Sequence, residues 1–218
     1  MKLIKAAIAT LTLASASAAM SAPVLNFENL ITGSPDSLLR LSDQYKSSGV
    51  LFENNGWVIN ARSAGGLGNF INTPSGHAAA ALFVDPTDPG NGTASLLARV
   101  KGGFQDSLTL SYTTDQIDVG VSLLDEKGNV LKSFQLNSVN QDSCGTVDLC
   151  NWNRDTTLSF QGTAYAVLFS GESGQAFFDN LSFGRGGSSD VPEPAGLALL
   201  MAGFAAAGFA RRRGRHAV

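Results

Sequence analysis

The chain has 218 residues, of which 44% are hydrophobic and 15% are charged, and its formal net charge is −3. The charge is unevenly distributed, because six of the fifteen basic residues lie within the first five and the last eight positions. Residues 23–190 carry 17 acidic and nine basic residues, a net charge of −8. Phosphate backbones and anionic lipid headgroups repel so acidic a body, which excludes nucleic acid as a partner.

The N-terminus has the pattern of a secretory signal peptide. Lys2 and Lys5 precede an apolar run over residues 6–19, and small residues follow as far as Ala22. Pro23 is a poor residue directly after a cleavage site, so cleavage by signal peptidase is expected between Ala18 and Ala22. We therefore assign residues 1–22 to a signal peptide and expect the chain to be exported through the inner membrane.

Residues 23–184 are long enough for one domain with a hydrophobic core. Short apolar segments rich in β-branched and aromatic residues alternate with turn residues, which predicts an all-β, antiparallel, jelly-roll-like β-sandwich. The clearest hairpin has its loop at residues 125–129, where Gly128 supplies the left-handed backbone that such a loop needs. The predicted strands cover residues 24–28, 49–52, 57–59, 78–84, 95–100, 107–113, 117–124, 130–136, 156–160, 164–170 and 176–183.

One short helix is predicted between the first two strands. Ser34 suits the N-cap and Pro35 suits the first helical position. The apolar face of this helix, which would end before Tyr45, consists of Leu38, Leu39 and Leu41.

The two cysteines of the chain are Cys144 and Cys150. In an exported protein two cysteines this close most simply form one disulfide, which would close a small loop and stabilise the fold by about 2 kcal/mol. Trp152 follows this rigid loop, and sugar rings stack on exposed aromatic faces, so Trp152 is a candidate ligand-binding residue. In the alternative, the Trp152 ring packs over the edge of the sandwich.

The exported body offers little for catalysis. His77 is its one histidine, and no Gly-x-Ser-x-Gly segment is present. Some of the 17 carboxylates must approach each other, and a pair of them could hydrolyse a glycoside, but no spacing selects a pair. We therefore predict no catalytic residues and a protein that is not an enzyme.

The C-terminus combines three ordered parts. The motif Val191-Pro192-Glu193-Pro194 leads into an apolar run over residues 195–210, and Arg211, Arg212 and Arg213 follow. Sixteen residues span about 24 Å as a helix, and snorkelling arginines extend this toward the roughly 30 Å of a bilayer core. We expect a transmembrane helix at 195–210 with its arginine end in the cytoplasm, preceded by a flexible linker at 185–190.

This order of parts resembles the PEP-CTERM sorting signal, over residues 191–215. The resemblance implies an exosortase-type processing protease that cuts near the motif, in bacteria that make extracellular polysaccharide. It also implies transient residence in the inner membrane, and a cell-surface or extracellular location after processing. An ordinary C-terminal membrane anchor is the alternative.

Two segments of the body resemble exported β-rich modules. Residues 43–52 are similar to a Tyr, short gap, Gly-Val-x-Phe segment, and residues 177–183 are similar to the last strand of jelly-roll carbohydrate-binding modules. The resemblance implies that the first and last strands lie side by side. It further implies that a carboxylate from each, Glu28 and Asp179, holds a structural calcium; ordinary solvent-facing acids are the alternative.

These features together predict an exported, exosortase-sorted, non-catalytic surface or extracellular-matrix protein that binds exopolysaccharide through a jelly-roll module. Two alternatives stay open. The protein could be a structural or adhesive matrix component that binds other proteins, or a glycan-cleaving enzyme that uses two carboxylates.

Overall fold

The computed structural model describes residues 24–28, 30–31, 34–88, 90–115, 117–139 and 149–184. They contain ten strands and two short 3₁₀ turns, at Lys46–Ser48 and Arg62–Ala64. In chain order the strands are β1 (Val24–Leu25), β2 (Leu39–Arg40), β3 (Val50–Asn54), β4 (Gly56–Asn60), β5 (Ala78–Leu82), β6 (Thr93–Thr114), β7 (Val119–Leu124), β8 (Val130–Leu136), β9 (Asn153–Glu172) and β10 (Ala176–Phe183).

Strands β6 and β9 are paired antiparallel over nearly their whole lengths, from Thr93 opposite Glu172 to Tyr112 opposite Asn153. The first half of β6 also pairs with β3, and its second half pairs with β10. The second half of β9 pairs with β7, which pairs with β8. The two long strands therefore belong to two layers, one extended by β3, β7 and β8 (layer A) and the other by β10, β5, β4, β2 and β1 (layer B).

The passage between the layers occurs where both long strands are irregular. The pairing register of β6 and β9 shifts between Arg99 and Phe104. Gly102 and Gly103 have φ angles of 79° and 73° there, and Gly162 on β9 has 93°. Glycine adopts these left-handed angles without a Cβ clash, so the strands can bend here, and their pairing resumes at Phe104 opposite Ala164.

The main core lies between the two layers. Phe169 of layer A and Phe178 of layer B are both fully buried, and their ring centroids are 4.6 Å apart. Each buried aromatic side chain of this kind contributes about 1.5–3 kcal/mol through apolar area removed from water. The predicted antiparallel β-sandwich is confirmed.

A second core lies on the outer face of layer B. Strand β5 reads Ala-Ala-Ala-Ala-Leu and is buried throughout, because alternate residues face the interlayer core and the outer core. The outer core is covered by residues 61–77 (the cover segment), whose Phe70 packs 4.7 Å from Phe177, and by residues 149–152. Burial on both faces explains why this strand is continuously apolar and does not alternate.

The strand predictions agree closely with the structure. The segments predicted at 95–100 and 107–113 are the two halves of β6, and those at 156–160 and 164–170 are the two halves of β9. The predicted hairpin is present: Leu124 lies opposite Val130, the Asp125 N–H donates to Asn129 O at 2.9 Å, and Gly128 has φ 85°.

The predicted helix before Tyr45 is wrong. Leu39 and Arg40 form strand β2, which pairs with Val58 and Trp57 of β4. Leu41 is buried in the interlayer core, whereas Leu38 packs on the outer core. A short apolar run at the edge of a sheet that is covered on both faces gives the same pattern as an amphipathic helix.

The predicted signal peptide, linker and transmembrane helix lie outside the described residues. Within the described ranges, no helix has the length and apolar character needed to cross a membrane.

We predict that Gly66→Ala destabilises the fold, because a Cβ at this position would overlap the carbonyl oxygen of Asn60. Overpacking of this kind costs about 1–3 kcal/mol of the free energy of unfolding. Urea denaturation measures the loss. Gly90→Ala is the matched control, since no atom lies within 4 Å of its Cβ position, and its effect should stay within about 0.5 kcal/mol. Equal effects in the two variants would contradict this account of the cover segment.

Candidate functional site

The first and last strands lie side by side, as the jelly-roll resemblance implies. Val24 pairs with Ser182 and Leu25 with Leu181. Glu28 follows β1 after two residues, and Asp179 lies within β10, so this pairing brings the two predicted calcium ligands to the same region of layer B.

Asp179 is enclosed, with 0% of its surface exposed. Ser75 donates to it through both its backbone N–H (2.8 Å) and its hydroxyl (2.8 Å to Oδ1), and the Asn180 N–H donates at 2.7 Å. Asn180 has φ 51° at an irregularity in the β10–β6 pairing. Such a β-bulge changes the direction of neighbouring side chains and often occurs beside functional sites.

Glu28 accepts hydrogen bonds from the same short segment. Its Oε1 receives the backbone N–H groups of His77 (3.0 Å) and Ala78 (2.8 Å). Gly76, between these donors and Ser75, has φ +78°, and a Cβ there would lie 2.5 Å from Glu28 Oε2. Residues 75–78 therefore bind both carboxylates, and only glycine permits so close an approach.

Burial raises the pKa of the Asp179 carboxyl from 3.8 to about 6. The hydrogen bonds from Ser75 and Asn180 lower this pKa, and the nearby charge of Glu28 raises it further. Tyr45 belongs to the same region, because its hydroxyl accepts the Phe27 N–H at 2.9 Å. Burial raises the pKa of Tyr45 too, the Phe27 hydrogen bond opposes this shift, and the charges of Asp179 and Glu28 add to it.

The site fits a calcium ion only in part. Two carboxylates stand close together, but the described residues contain no group of three His, Cys, Asp or Glu side chains that could hold a metal. Calcium takes six to eight oxygens, so backbone carbonyls or water would have to supply the remaining ligands. Calcium binding by Glu28 and Asp179 stays a prediction.

Trp152 is half-buried at the outer core. Its indole N–H donates to Ile71 O at 2.9 Å, and its ring meets Phe70 edge-to-face with centroids 5.8 Å apart. These are contacts of a packed side chain at the edge of layer B, as in the alternative interpretation. A ligand-binding role for Trp152 stays a prediction.

The segment that carries Cys150 is fastened to the cover segment. The Leu149 N–H donates to Asn69 O at 2.7 Å, and Asn72 Nδ2 donates to Cys150 O at 3.3 Å. Cys150 is 8% exposed. Cys144 lies outside the described residues, so its disulfide with Cys150 stays a prediction.

The sequence analysis missed Ser75, which makes more hydrogen bonds to Asp179 than any other residue. It also assigned no role to His77, whereas the backbone N–H of this exposed residue binds Glu28. No local signal marks Ser75, because its importance comes from a partner 104 positions away.

The C-terminal residues match a known sorting motif. Residues 190–214 match the PEP-CTERM protein-sorting motif. The match contains the predicted motif residues Val191, Pro192, Glu193 and Pro194 and the arginines Arg211, Arg212 and Arg213, all outside the described residues. A PEP-CTERM motif implies an exported protein that exosortase processes at the membrane and that reaches the cell surface or the extracellular space.

No curated protein sequence matches the chain. Among solved structures it is similar to the K2 cleaved adhesin domain of Lys-gingipain, at 11% identity and TM-score 0.47, over 75% of this chain and 97% of that one. It is also similar to TmCBM61 in complex with beta-1,4-galactotriose, at 13% identity and TM-score 0.38, over 65% and 93%. A third, arabinose-bound MgGH51 α-L-arabinofuranosidase, shares 14% identity at TM-score 0.38, over 75% and 26%. Likenesses this distant carry no functional argument.

We predict that Asp179→Asn changes how stability depends on pH in metal-free buffer. The raised pKa means that the folded state binds this proton more tightly than the unfolded state. The contribution of protonated Asp179 to the free energy of unfolding is therefore complete below pH 3.8 and is lost as the pH rises through about 6. This loss amounts to about 3 kcal/mol. Relative to wild type, the unfolding free energy of the variant should rise by that amount between pH 3 and 7.

Asp125→Asn is the control of opposite sign, because hydrogen bonds from Asn129 lower the pKa of Asp125. Its contribution is present above pH 3.8 and is lost on acidification. Relative to wild type, the unfolding free energy of Asp125→Asn should fall as the pH rises from acid to above 3.8. Parallel pH curves for Asp179→Asn and wild type would contradict the buried ionisation.

Proposed function

We propose that this protein is a non-catalytic component of the cell surface or extracellular matrix that binds exopolysaccharide through its β-sandwich. The observation that supports the proposal most is the PEP-CTERM motif at residues 190–214. The acidic, two-layered body is then the part that acts outside the cell, and signal peptidase and exosortase are its processing partners.

The carboxylates of the site support a role without catalysis. Asp179 has no exposed surface, and Glu28 Oε1 is occupied by two backbone N–H groups. A glycosidase needs two carboxyl groups that reach opposite sides of a glycosidic bond. An enclosed carboxylate with three short hydrogen bonds acts in folding, by fastening the cover segment to β10.

We also propose that a calcium ion stabilises this region, with Glu28 and Asp179 as its acidic ligands. Two neighbouring carboxylates in a buried region repel each other, and a divalent cation would offset that repulsion. The ion would act as a structural cofactor that joins β1, β10 and the cover segment.

The sorting part is tested with Pro192→Ala/Pro194→Ala in the native host. We expect the variant to stay full-length in the membrane fraction, because the processing protease would not recognise the altered motif, whereas wild type is shortened and reaches the surface or medium. Immunoblots of the fractions measure the shift. Pro35→Ala/Pro86→Ala, a double proline variant of the body, should be processed like wild type. Unchanged processing of the motif variant would refute sorting through this signal.

The binding part is tested by co-sedimentation of the full chain, kept in a detergent without a sugar headgroup, with matrix from the host. We expect binding that survives protease treatment of the matrix and is lost after its polysaccharide is degraded. The reverse result would favour a protein partner.

The calcium site is tested by urea denaturation. Calcium should raise the urea midpoint of wild type relative to chelator, and Glu28→Gln should abolish that shift. An equal shift in both proteins would exclude the site.

A further inference from the structure

A groove of about 390 Å³ lies on the outer face of layer B, away from Glu28, Asp179 and Trp152. This volume falls within the roughly 300–1,000 Å³ typical of small-molecule sites, at the small end. Its lining combines apolar side chains with Arg62 and two side-chain amides.

The floor of the groove is apolar because it lies against the outer core. Phe70 of the cover segment packs on Phe177, whereas Ile59 and Phe83 of the same core line the groove through narrow edges, with 4% and 5% of their surface exposed. Leu67 stands at the groove with 57% of its surface exposed and adds an accessible apolar side chain to the lining. A ring with one apolar face could pack on this surface.

Two side-chain amides supply the polar part. Asn69 and Gln175 are both half-buried, and within the described ranges neither side-chain amide makes a hydrogen bond. A primary amide donates two hydrogen bonds and accepts two, which suits the hydroxyl groups of a sugar. Neither amide belongs to the buried polar atoms that lack a partner in the described part of the chain, so water reaches both, and a sugar hydroxyl would take the place of that water.

Charge selects among sugars. Arg62, the one charged residue of the lining, already has an interaction partner. Asp85 and Asp88 flank the lining residue Pro86, and the body as a whole is strongly acidic. An anionic sugar would meet this negative field on its approach, whereas a neutral sugar would not.

We propose that this groove binds one or two neutral hexose units of a polysaccharide, with the C–H face of the sugar on Ile59, Leu67 and Phe83. The amides of Asn69 and Gln175 hydrogen-bond its hydroxyls. The inference rests on the proposed glycan-binding function, and it places the ligand away from Trp152, whose indole N–H is already bonded to Ile71 O.

The test compares the full chain with Asn69→Ala, Gln175→Ala and the double variant, by calorimetry in a detergent without sugar. The probes are neutral tetrasaccharides of glucose, galactose and mannose, with a galacturonate tetrasaccharide as the anionic probe. Each lost amide should weaken binding of a neutral probe about three- to tenfold. Gln161→Ala is the matched control, because Gln161 is exposed on β9, outside the groove, and its affinity should equal wild type.

The outcomes separate the groove from the wider function. Neutral binding by wild type that all the groove variants retain would overturn the groove and leave glycan binding intact. Binding of the galacturonate probe alone would overturn the neutral class. No binding of any probe by wild type overturns the groove, and the co-sedimentation experiment then decides glycan binding by itself. Because either single variant suffices, a fold defect in one of them leaves the other as the test.

Discussion

The long antiparallel pairing of β6 with β9, which resumes after each register shift, is the constraint on which the rest of the structure depends. Each strand contributes one half to layer A and the other half to layer B, so the layers cannot separate without breaking this pair. The bend at Gly102 and Gly103 lets the pair change layer while its hydrogen bonds continue on both sides. The interlayer core then forms between two surfaces that the same two strands have already brought together.

Layer B is buried on both faces, and this second burial creates the local chemistry. The cover segment shields Phe177 and Ala81 on the outer face, and its end supplies the donors that bind Glu28 and Asp179. The carboxylate site is thus the place where the cover segment is fastened to the first and last strands. The groove lies on the same outer face, beside Ile59 and Phe83 of the outer core.

Most of the strands could be predicted because turn residues and short apolar runs are local signals. Strand β2 could not be predicted, because it has only two residues and depends on pairing with β4, which is distant in the sequence. Leu38, Leu39 and Leu41 are also spaced as on the apolar face of a helix. Glu28 and Asp179 came from a family resemblance, whereas Ser75 depends on a contact across 104 positions. The groove draws its lining from separate stretches around Leu38, Ile59, Leu67, Phe83 and Gln175, so no contiguous pattern could reveal it.

The position of β10 has a mechanical consequence. This last strand is interior to its layer, with β6 along one edge and β5 and β1 along the other, and the chain leaves it at Gly184 toward the sorting motif. Tension from a tether on that side would run along β10, across the hydrogen bonds on both edges. Those bonds would bear the load jointly and shear together, so the fold should resist unfolding when it is pulled from this end.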